Sequence, residues 1–537
     1  MTIAAEGVGL GRLGDHALAV HGTLAPYLPA VLGVRDGLLF REWLPVGRRA
    51  DRAGIGDPER AAARLAGYVD ARARALELPL DHTLAARGRR PAWEVAGVLL
   101  AAAFGPAEPA ARVLLVDPAV RRVLRVGRPA EIDGSMELTR WFAGGDGELV
   151  KVDWAVPSDA SFRVASCDPV SDLAQVTAGA PDRTLARGLR RAYAATGHDP
   201  VEPERWLLHE LAHLWSRRRE SGGGDPALLD ACARAMRAYY HEVFFADLEP
   251  PGDGPLWGID VDGVLEIDVA GFPALTPASA AALRALTVHG HRPLLVTGRG
   301  ASEVVERCAS YRLAGGVAEY GATVHVAAPG LTDGLLDAAE RAALGRARAA
   351  LAGFDGIHVD PGGRNAVRAY AVGPDGRRRR PPDAAVAAAI RAAGTPAVQA
   401  IRGDGQTDLV AGRVDKGDGV RALLARLGAD PTGPRPLHAA IGDTAADAPL
   451  LRLAIRPYVP AHAERGLRPL ARTTRGAYAA GFFEAVGEVL GHPPGTCAAC
   501  RVADGGDARR SLMSLLALRE GGLRRLPARA IGVARAQ

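Results

Sequence analysis

Short apolar runs, each ending at a glycine or a polar residue, recur through the second half of the chain, at residues 256–265, 293–298, 315–321 and 437–442. Runs of this length that stop at glycine are typical of strands buried in a parallel sheet. Roughly 120 residues, most of them in a mixed helical and strand-like pattern, separate Thr297 from Lys416, which is too many for a loop. The pattern therefore predicts a Rossmann-like α/β core with a folded insert.

The first of these runs delivers two carboxylates, Asp260 and Asp262. In an extended chain, residues two apart point to the same side, so both side chains can face one bound group while Val261 packs away. Close carboxylates repel unless a cation lies between them, and such oxygen ligands suit a magnesium ion that also holds a phosphate. Asp260 could attack phosphorus, and Asp262 could protonate the leaving oxygen and later activate water. A solvated turn or a calcium loop would show the same Asp-x-Asp-Gly motif.

The later motifs distinguish these interpretations, because with them the chain resembles the haloacid dehalogenase-like (HAD) phosphohydrolases. The second run ends in Thr297, residues 414–417 carry Lys416, and the last run leads into Gly-Asp-x-x-x-Asp with Asp443 and Asp447. The resemblance implies that Thr297 and Lys416 bind the phosphate and that Asp443 binds Mg²⁺ beside Asp447. The predicted catalytic residues are therefore Asp260, Asp262, Thr297 and Lys416, and the predicted metal ligands are Asp260, Asp262, Asp443 and Asp447.

Amino-acid usage supports the assignment of the lysine. The chain has 66 basic residues, yet Lys151 and Lys416 are its two lysines and all the others are arginine. A compact ammonium group on a flexible stem fits between a carboxylate and a phosphate, whereas a planar guanidinium does not. The alternative is that two lysines remain at these positions by chance.

The insert between Thr297 and Lys416 resembles the large α/β cap of the sugar-phosphatase branch of the same family. Selectivity would then come from residues laid over the crevice, because the core motifs recognise the phosphate alone. Arg364 and Arg368 lie on a cap strand, and a solvent-exposed pair is the alternative interpretation. The predicted substrate-binding residues are Thr297, Gly298, Arg299, Glu319, Arg364 and Arg368.

Residues 1 to about 250 show a mainly helical pattern with a few short strands. An apolar strand at residues 148–154 ends in Asp153 and Trp154, and Asp-Pro-x-x-Asp-Leu-Ala follows at 168–174. This half resembles the C-terminal lobe of aminoglycoside phosphotransferase-like kinases, which implies that Asp153 holds magnesium and that residues 37–45 form the hinge strand. Asp133 lies where the catalytic-loop aspartate belongs, but the preceding His-Gly is missing and Leu138 replaces the expected asparagine. We therefore expect a degenerate kinase-like α+β module, or one whose N-terminal lobe lies outside this chain.

Two further motifs allow metal chemistry. His209-Glu-Leu-Ala-His213 places two histidines four apart on one helix face, suitable for zinc with Glu210 as a base, but a structural helix is the alternative. Cys497-Ala-Ala-Cys500 is a single Cys-x-x-Cys, which is too little for a structural zinc site by itself.

Composition narrows the class of protein. Apolar and charged contents of 48% and 24% are those of an ordinary globular chain, and a net charge of +5 spread over 537 residues argues against a dedicated nucleic-acid binder. Five scattered cysteines fit a reducing compartment, and no signal peptide or membrane span is expected, so the predicted location is the cytoplasm. The predicted domains are residues 1–250 (kinase-like module), 251–327 and 411–491 (HAD core), 328–410 (cap) and 492–537 (tail with a helix).

The motifs together predict a Mg²⁺-dependent phosphatase for a small phosphorylated metabolite, such as a sugar or polyol phosphate. Two alternatives stay open at this point. One is a bifunctional kinase and phosphatase with an ATP-binding first half, and the other is a non-catalytic regulatory protein.

Overall fold

A computed structural model describes residues 2–81, 91–104, 117–144, 147–154, 167–180, 182–222, 225–373, 378–395 and 397–520. The chain divides into two compact units. Among the described residues, the first unit extends to Tyr239 and also takes in Asp504–Leu518. The second unit holds Tyr240–Ala503 together with Arg519 and Glu520. None of the described helices is both long and apolar enough to cross a bilayer.

The first unit is mainly helical with small antiparallel sheets, which confirms the predicted α+β class. Strands β1, β3 and β2 form one sheet in that order, and β4 pairs with β5 in a hairpin. The strands are β1 (Ile3–Gly7), β2 (Val31–Arg35), β3 (Leu38–Glu42), β4 (Trp141–Ala143) and β5 (Leu149–Lys151). The helices are α1 (Arg12–Leu24), α2 (Ala50–Ala53), α3 (Pro58–Ala75), α4 (Pro91–Phe104), α5 (Asp117–Val123), α6 (Pro169–Thr177), α7 (Thr184–Ala195), α8 (Pro203–Glu220) and α9 (Pro226–Tyr240).

Local sequence explains where these elements begin and end. Helix α3 begins at a proline, and the Asp57 side chain accepts a hydrogen bond from the backbone N–H of Glu59, which is a standard N-terminal cap. Strand β5 is shorter than the predicted strand at 148–154, because Asp153 adopts a φ of +65° and leaves the extended conformation. The predicted hinge segment contains β3, the middle strand of its sheet. The kinase-like identity of this unit stays a prediction.

The second unit is built on an eight-stranded sheet among its described residues, in the order β12-β11-β10-β9-β6-β18-β19-β20. The six strands from β10 to β20 in this order are parallel, and β11 and β12 add an antiparallel hairpin at one edge. This confirms the predicted Rossmann-like core. Its strands are β6 (Leu256–Ile259), β9 (Arg292–Val296), β10 (Gly315–Ala318), β11 (Thr323–Val326), β12 (Leu331–Gly334), β18 (Leu437–Ile441), β19 (Ala454–Val459) and β20 (Arg472–Thr473), and β7 (Glu266–Asp268) and β8 (Pro273–Leu275) form a separate hairpin. Its helices are α10 (Pro277–Val288), α11 (Ala301–Tyr311), α14 (Lys416–Arg426), α15 (Ala448–Arg452) and α16 (Tyr478–Leu490).

The insert is an α/β cap with its own antiparallel sheet and its own apolar core. The sequence pattern predicts a strand at Ala366–Val372, a helix at Asp383–Ala393 and a strand at Thr407–Ala411, and all three elements have these bounds in the structure. The hairpin strand β12 belongs to the core sheet because it pairs with β11, so the insert begins later than residue 328. The cap strands are β13 (Ile357–Val359), β14 (Ala366–Val372), β15 (Arg378–Arg379), β16 (Val398–Arg402) and β17 (Thr407–Ala411), and its helices are α12 (Ala338–Ala352) and α13 (Asp383–Ala393).

The C-terminal stretch differs from the predicted tail. Helix α17 spans Gly506–Leu516, whereas the sequence pattern predicts a helix at 511–526. Residues 521–526 lie outside the described part of the chain. Helix α17 belongs to the first unit, where Arg509 pairs with Glu204 at 2.7 Å.

Candidate active site

Three carboxylates and one ammonium group meet at the carboxyl ends of adjacent parallel strands. Asp260 directly follows β6, Asp443 and Asp447 follow β18, and Lys416 is the first residue of α14. The Lys416 Nζ lies 2.7 Å from an oxygen of Asp260 and 2.5 Å from an oxygen of Asp447. Oxygen atoms of the three aspartates lie within 4.8 Å of one another.

The charge of this cluster is unbalanced. Burial lowers the pKa of Lys416, but the charges of Asp260 and Asp447 outweigh that effect and raise it, so the lysine is an ammonium ion. One ammonium group against three carboxylates leaves excess negative charge in a buried place. Burial and the charges of Asp447 and Asp443 accordingly raise the pKa of Asp260 well above its ordinary value.

A divalent cation fits this donor set. The Asp443 Oδ1 atom is buried and has no hydrogen-bond partner among the residues that the structure describes, which is costly for a carboxylate oxygen unless a ligand satisfies it. Carboxylate oxygens are the ligands that Mg²⁺ prefers. Asp260 and Asp443 are therefore the side chains that could hold the ion.

Asp447 differs from the other two aspartates in the number of hydrogen bonds that its carboxylate accepts from the protein. Its Oδ2 accepts hydrogen bonds from the backbone N–H of Asp443 at 3.0 Å and from the N–H and hydroxyl of Thr444. Its Oδ1 accepts from Lys416. Both oxygens of Asp447 thus accept hydrogen bonds from the protein. This geometry favours a role in shaping the loop at Asp443 and holding Lys416 over the role of metal ligand that the sequence predicts.

His462 is a site residue that sequence analysis did not identify. Its Nε2 lies 3.0 Å from Asp443 Oδ2, and its Nδ1 accepts from the backbone N–H of Tyr478 at 3.1 Å. Because Nδ1 is an acceptor, the proton is on Nε2, which therefore donates to Asp443. The Tyr478 ring stacks on the imidazole with ring centroids 3.9 Å apart. No local motif marks His462, because it follows a different strand, β19.

Asp262 lies at the same edge of the sheet but pairs with an arginine and is not one of the three clustered aspartates. Its side chain is 58% exposed and forms a bidentate ion pair with Arg299, whose Nε lies 2.9 Å from Oδ2. Partial desolvation raises the pKa of Asp262, but the charge and the hydrogen bonds of Arg299 outweigh that effect, so the pKa lies below its ordinary value. Arg299 also pairs with Glu303 at 2.6 Å.

Two glycines at this edge permit close approaches. A Cβ atom at Gly263, whose φ is +80°, would lie 2.4 Å from Asp443 Oδ2. A Cβ atom at Gly298 would lie 2.2 Å from the ring of Tyr320. The preceding residue, Thr297, is buried, and its hydroxyl accepts a hydrogen bond from the backbone N–H of Arg299 at 3.2 Å.

The predicted cap residues separate into three environments. Glu319 is 2% exposed, and its carboxylate accepts from the backbone N–H groups of Arg364 at 2.7 Å and Asn365 at 3.0 Å. It thus ties the end of β10 to the residues just before β14, and its predicted role in substrate binding stays a prediction. The Arg364 side chain is exposed. Arg368 is half-buried, pairs with Asp408 at 2.8 Å and donates to the Gly298 carbonyl at 3.1 Å.

The zinc motif of the first unit has internal partners. His209 pairs with Asp168 at 2.7 Å, and His213 lies 2.9 Å from the carbonyl oxygen of Ser171. Glu210 forms an ion pair with Arg183. These contacts hold α8 against the start of α6, which favours the structural interpretation over a metal site.

The predicted kinase-like residues are also paired. Asp133 is buried and pairs with Lys151 at 3.2 Å and with the hydroxyl of Tyr68. Asp153 pairs with Arg140 at 3.0 Å. Asp133 and Asp153 thus flank the hairpin β4–β5 in chain order, and their proposed roles stay predictions.

No protein-family profile and no curated protein matches this sequence. Solved structures that match part of this chain include a haloacid dehalogenase-like hydrolase from Bacteroides thetaiotaomicron, at 14% identity, with 44% of this chain and 100% of that chain covered and a TM-score of 0.35. They also include the sucrose-phosphatase of Synechocystis sp. PCC6803 in complex with sucrose and phosphate, at 17% identity, 44% and 97% coverage and a TM-score of 0.32. A third is a HAD subclass IIB sugar phosphatase, at 14% identity, 44% and 99% coverage and a TM-score of 0.34.

Proposed function

We propose that the second unit is a Mg²⁺-dependent phosphatase that hydrolyses a small phosphorylated metabolite through an aspartyl-phosphate. The observation that carries this proposal is the buried cluster in which Lys416 Nζ lies 2.7 Å from Asp260 and 2.5 Å from Asp447. Beside it lies an Asp443 oxygen that has no partner within the described part of the chain. Asp260 and Asp443, with the backbone carbonyl of Asp262, would hold the ion. When bound, Mg²⁺ would neutralise charge on the phosphate oxygens.

The chain supplies the groups for a two-step reaction. Asp260 would attack phosphorus while the bond from phosphorus to the ester oxygen breaks, and Asp262 would give its proton to that oxygen. Asp262 would then take a proton from a water molecule, whose oxygen attacks the phosphorus of the aspartyl-phosphate. Phosphate leaves, and the carboxylate of Asp260 is restored. Thr297 and Lys416 would bind the phosphoryl oxygens.

Sugar or polyol phosphates are the proposed substrate class. The support for this choice is the α/β cap, which resembles that of the sugar-phosphatase branch, and the contact of its Arg368 with Gly298 beside the phosphate-binding Thr297.

Phosphate release from a panel of sugar, polyol and nucleotide phosphates tests the proposal. Asp260→Asn should abolish turnover while the protein stays folded, because an amide cannot form the acyl phosphate. The matched control is Asp355→Asn, an exposed aspartate of the cap. EDTA should abolish activity, and Mg²⁺ should restore it. Comparable turnover by Asp260→Asn, or no turnover of any phosphate ester by the wild type, would contradict the proposal.

A further inference from the structure

A second cluster of metal-ligating side chains lies in the second unit, away from the aspartates. It consists of His289, His492, Cys497 and Cys500. One candidate ligand atom from each residue lies within 4.8 Å of the other three. Two thiols and two imidazoles form a ligand set typical of structural zinc sites.

The distances fit a tetrahedral ion with a small adjustment. Zinc–ligand bonds of about 2.3 Å to sulfur and about 2.0 Å to nitrogen require roughly 3.3 Å between two nitrogens and roughly 3.8 Å between two sulfurs. The two histidine Nε2 atoms lie 3.2 Å apart, and Cys497 Sγ lies 3.3 Å from Nε2 of His289. The two sulfurs lie 3.1 Å apart, so they would separate by about 0.7 Å when a metal binds.

Hydrogen bonds around the cluster prepare the ligand atoms for a metal. The Nδ1 of His492 lies 3.0 Å from the carbonyl oxygen of Pro493, so Nδ1 carries the proton and Nε2 presents its lone pair to the cluster. The backbone N–H of Gly495 donates to Cys500 Sγ at 3.1 Å. The Cys500 N–H in turn donates to Cys497 Sγ at 3.4 Å. Donors to sulfur favour the thiolate, the form that binds zinc.

The cluster also lies beside two helix C-termini, where a bound cation would stabilise the fold. His289 directly follows α10, and His492 lies two residues after α16, so the site is beside the C-terminal ends of two helices. Free carbonyl groups give these ends partial negative charge. Residues 493–503 contain no regular helix or strand, and a metal bound to Cys497 and Cys500 would tie them to α10.

This site is separate from the proposed active site. His289 precedes β9, and Thr297 follows it. The strand has five residues, which at about 3.3 Å per residue places roughly 16 Å of sheet between its two ends. With four protein ligands and no open position, the site has the character of a structural centre.

We infer that His289, His492, Cys497 and Cys500 bind one Zn²⁺ ion, which fastens the segment after α16 to the end of α10. This inference does not depend on the proposed phosphatase activity. A redox pair, in which Cys497 and Cys500 form a disulfide without metal, is the competing interpretation.

Zinc binding by the reduced, full-length protein tests the inference. Bound metal is removed with a chelator, and Zn²⁺ is then added back. The number of zinc ions per chain is measured, and the affinity is determined by competition with a chromogenic chelator. We expect one zinc per chain at this site. Loss of a group that only orients a metal ligand weakens metal binding about 10–100-fold. Cys497→Ser and His492→Ala each remove a ligand itself, so each should weaken zinc binding at least about 100-fold. Cobalt in place of zinc should show the absorption of a tetrahedral, thiolate-ligated ion.

The controls separate this site from other sources of zinc. Cys308→Ala removes a buried cysteine of α11, and Asp443→Asn removes a carboxylate of the other cluster, so both should keep the ion. His492 is half-buried, so its variant should stay folded even if a cysteine variant does not. No zinc uptake by the reduced wild type would overturn the inference. So would uptake that survives both ligand substitutions, or a Cys497–Cys500 disulfide in protein that takes up no zinc after reduction.

Discussion

Arg299 holds the carboxylate of Asp262 in a bidentate ion pair, with its Nε at 2.9 Å from Oδ2. Asp262 is the proposed proton donor to the leaving oxygen, yet this partner keeps the pKa of its carboxyl below the ordinary value despite partial burial. An ionised carboxylate cannot donate a proton. The ion pair must therefore open, or the pKa of Asp262 must rise, when a substrate occupies the crevice.

Arg299→Gln should shift the pH dependence of the first chemical step. Without the arginine, the pKa of Asp262 rises. The fraction of enzyme molecules with a protonated Asp262 therefore stays high up to a higher pH. For an alkyl phosphate, whose leaving group needs that proton, the basic limb of the kcat/KM profile should move up by about one pH unit or more. Each profile is scaled to its own maximum, which separates this shift from any loss of binding.

The control for that experiment is Glu303→Gln, which removes the other carboxylate partner of Arg299 and leaves Asp262 paired. Its basic limb should move little. If Arg299→Gln leaves the limb where it is in the wild type, another group supplies the proton.

His462 is expected to tune the metal site through Asp443. Its Nε2 donates to Asp443 Oδ2 at 3.0 Å, and Tyr478 fixes its tautomer, so it orients a proposed ligand without touching the substrate. His462→Ala should raise the Mg²⁺ concentration needed for half-maximal activity about 10–100-fold, with a smaller change in kcat at saturating Mg²⁺.

His462→Gln retains an N–H donor and should recover part of that affinity. The control is His438→Ala, at the amino end of β18, which should leave the Mg²⁺ requirement unchanged. A fall in kcat with an unchanged Mg²⁺ requirement would show that His462 serves the chemistry or the fold instead.

The aspartates of the site were predictable from sequence, because each follows an apolar run whose end is fixed by strand geometry. The roles of Glu319 and His462 were not. Glu319 and Tyr320 take φ values of +52° and +58°, and this left-handed turn carries the Glu319 carboxylate to the cap strand. A pattern of residue types does not show such a turn. The pairing of His289 with His492 is similarly hidden, since 203 residues separate them.

His213 should make the first unit less stable in mild acid. Burial, aided by the charge of His209, lowers the pKa of its imidazole to about 4. The unfolded value is about 6.5, so between these limits the unfolded chain binds the extra proton and the free energy of unfolding falls as the pH falls. The expected loss from pH 7 to pH 4.5 is about 1–3 kcal/mol.

Tryptophan fluorescence can follow this transition in the full-length protein, because six of the seven tryptophans lie in the first unit. In His213→Gln, which keeps an N–H donor for the Ser171 carbonyl, the loss of stability on acidification should be smaller by the same amount. Equal losses in the wild type and the variant would assign the acid sensitivity to other groups.

The two cap arginines are equivalent in the sequence but lie in different environments in the structure. Arg368 pairs with Asp408 and donates to the Gly298 carbonyl, beside the predicted phosphate-binding threonine, whereas the Arg364 side chain is exposed. If Arg368 also contacts the leaving group, its loss should cost about 1.5–3 kcal/mol, or roughly ten- to a hundredfold in kcat/KM for the preferred substrate. Hydrolysis of p-nitrophenyl phosphate should change little, and Arg364→Ala should resemble the wild type on both substrates. An equal loss on both substrates in Arg368→Ala would mean that this arginine supports the Gly298 turn, and that selectivity lies elsewhere in the cap.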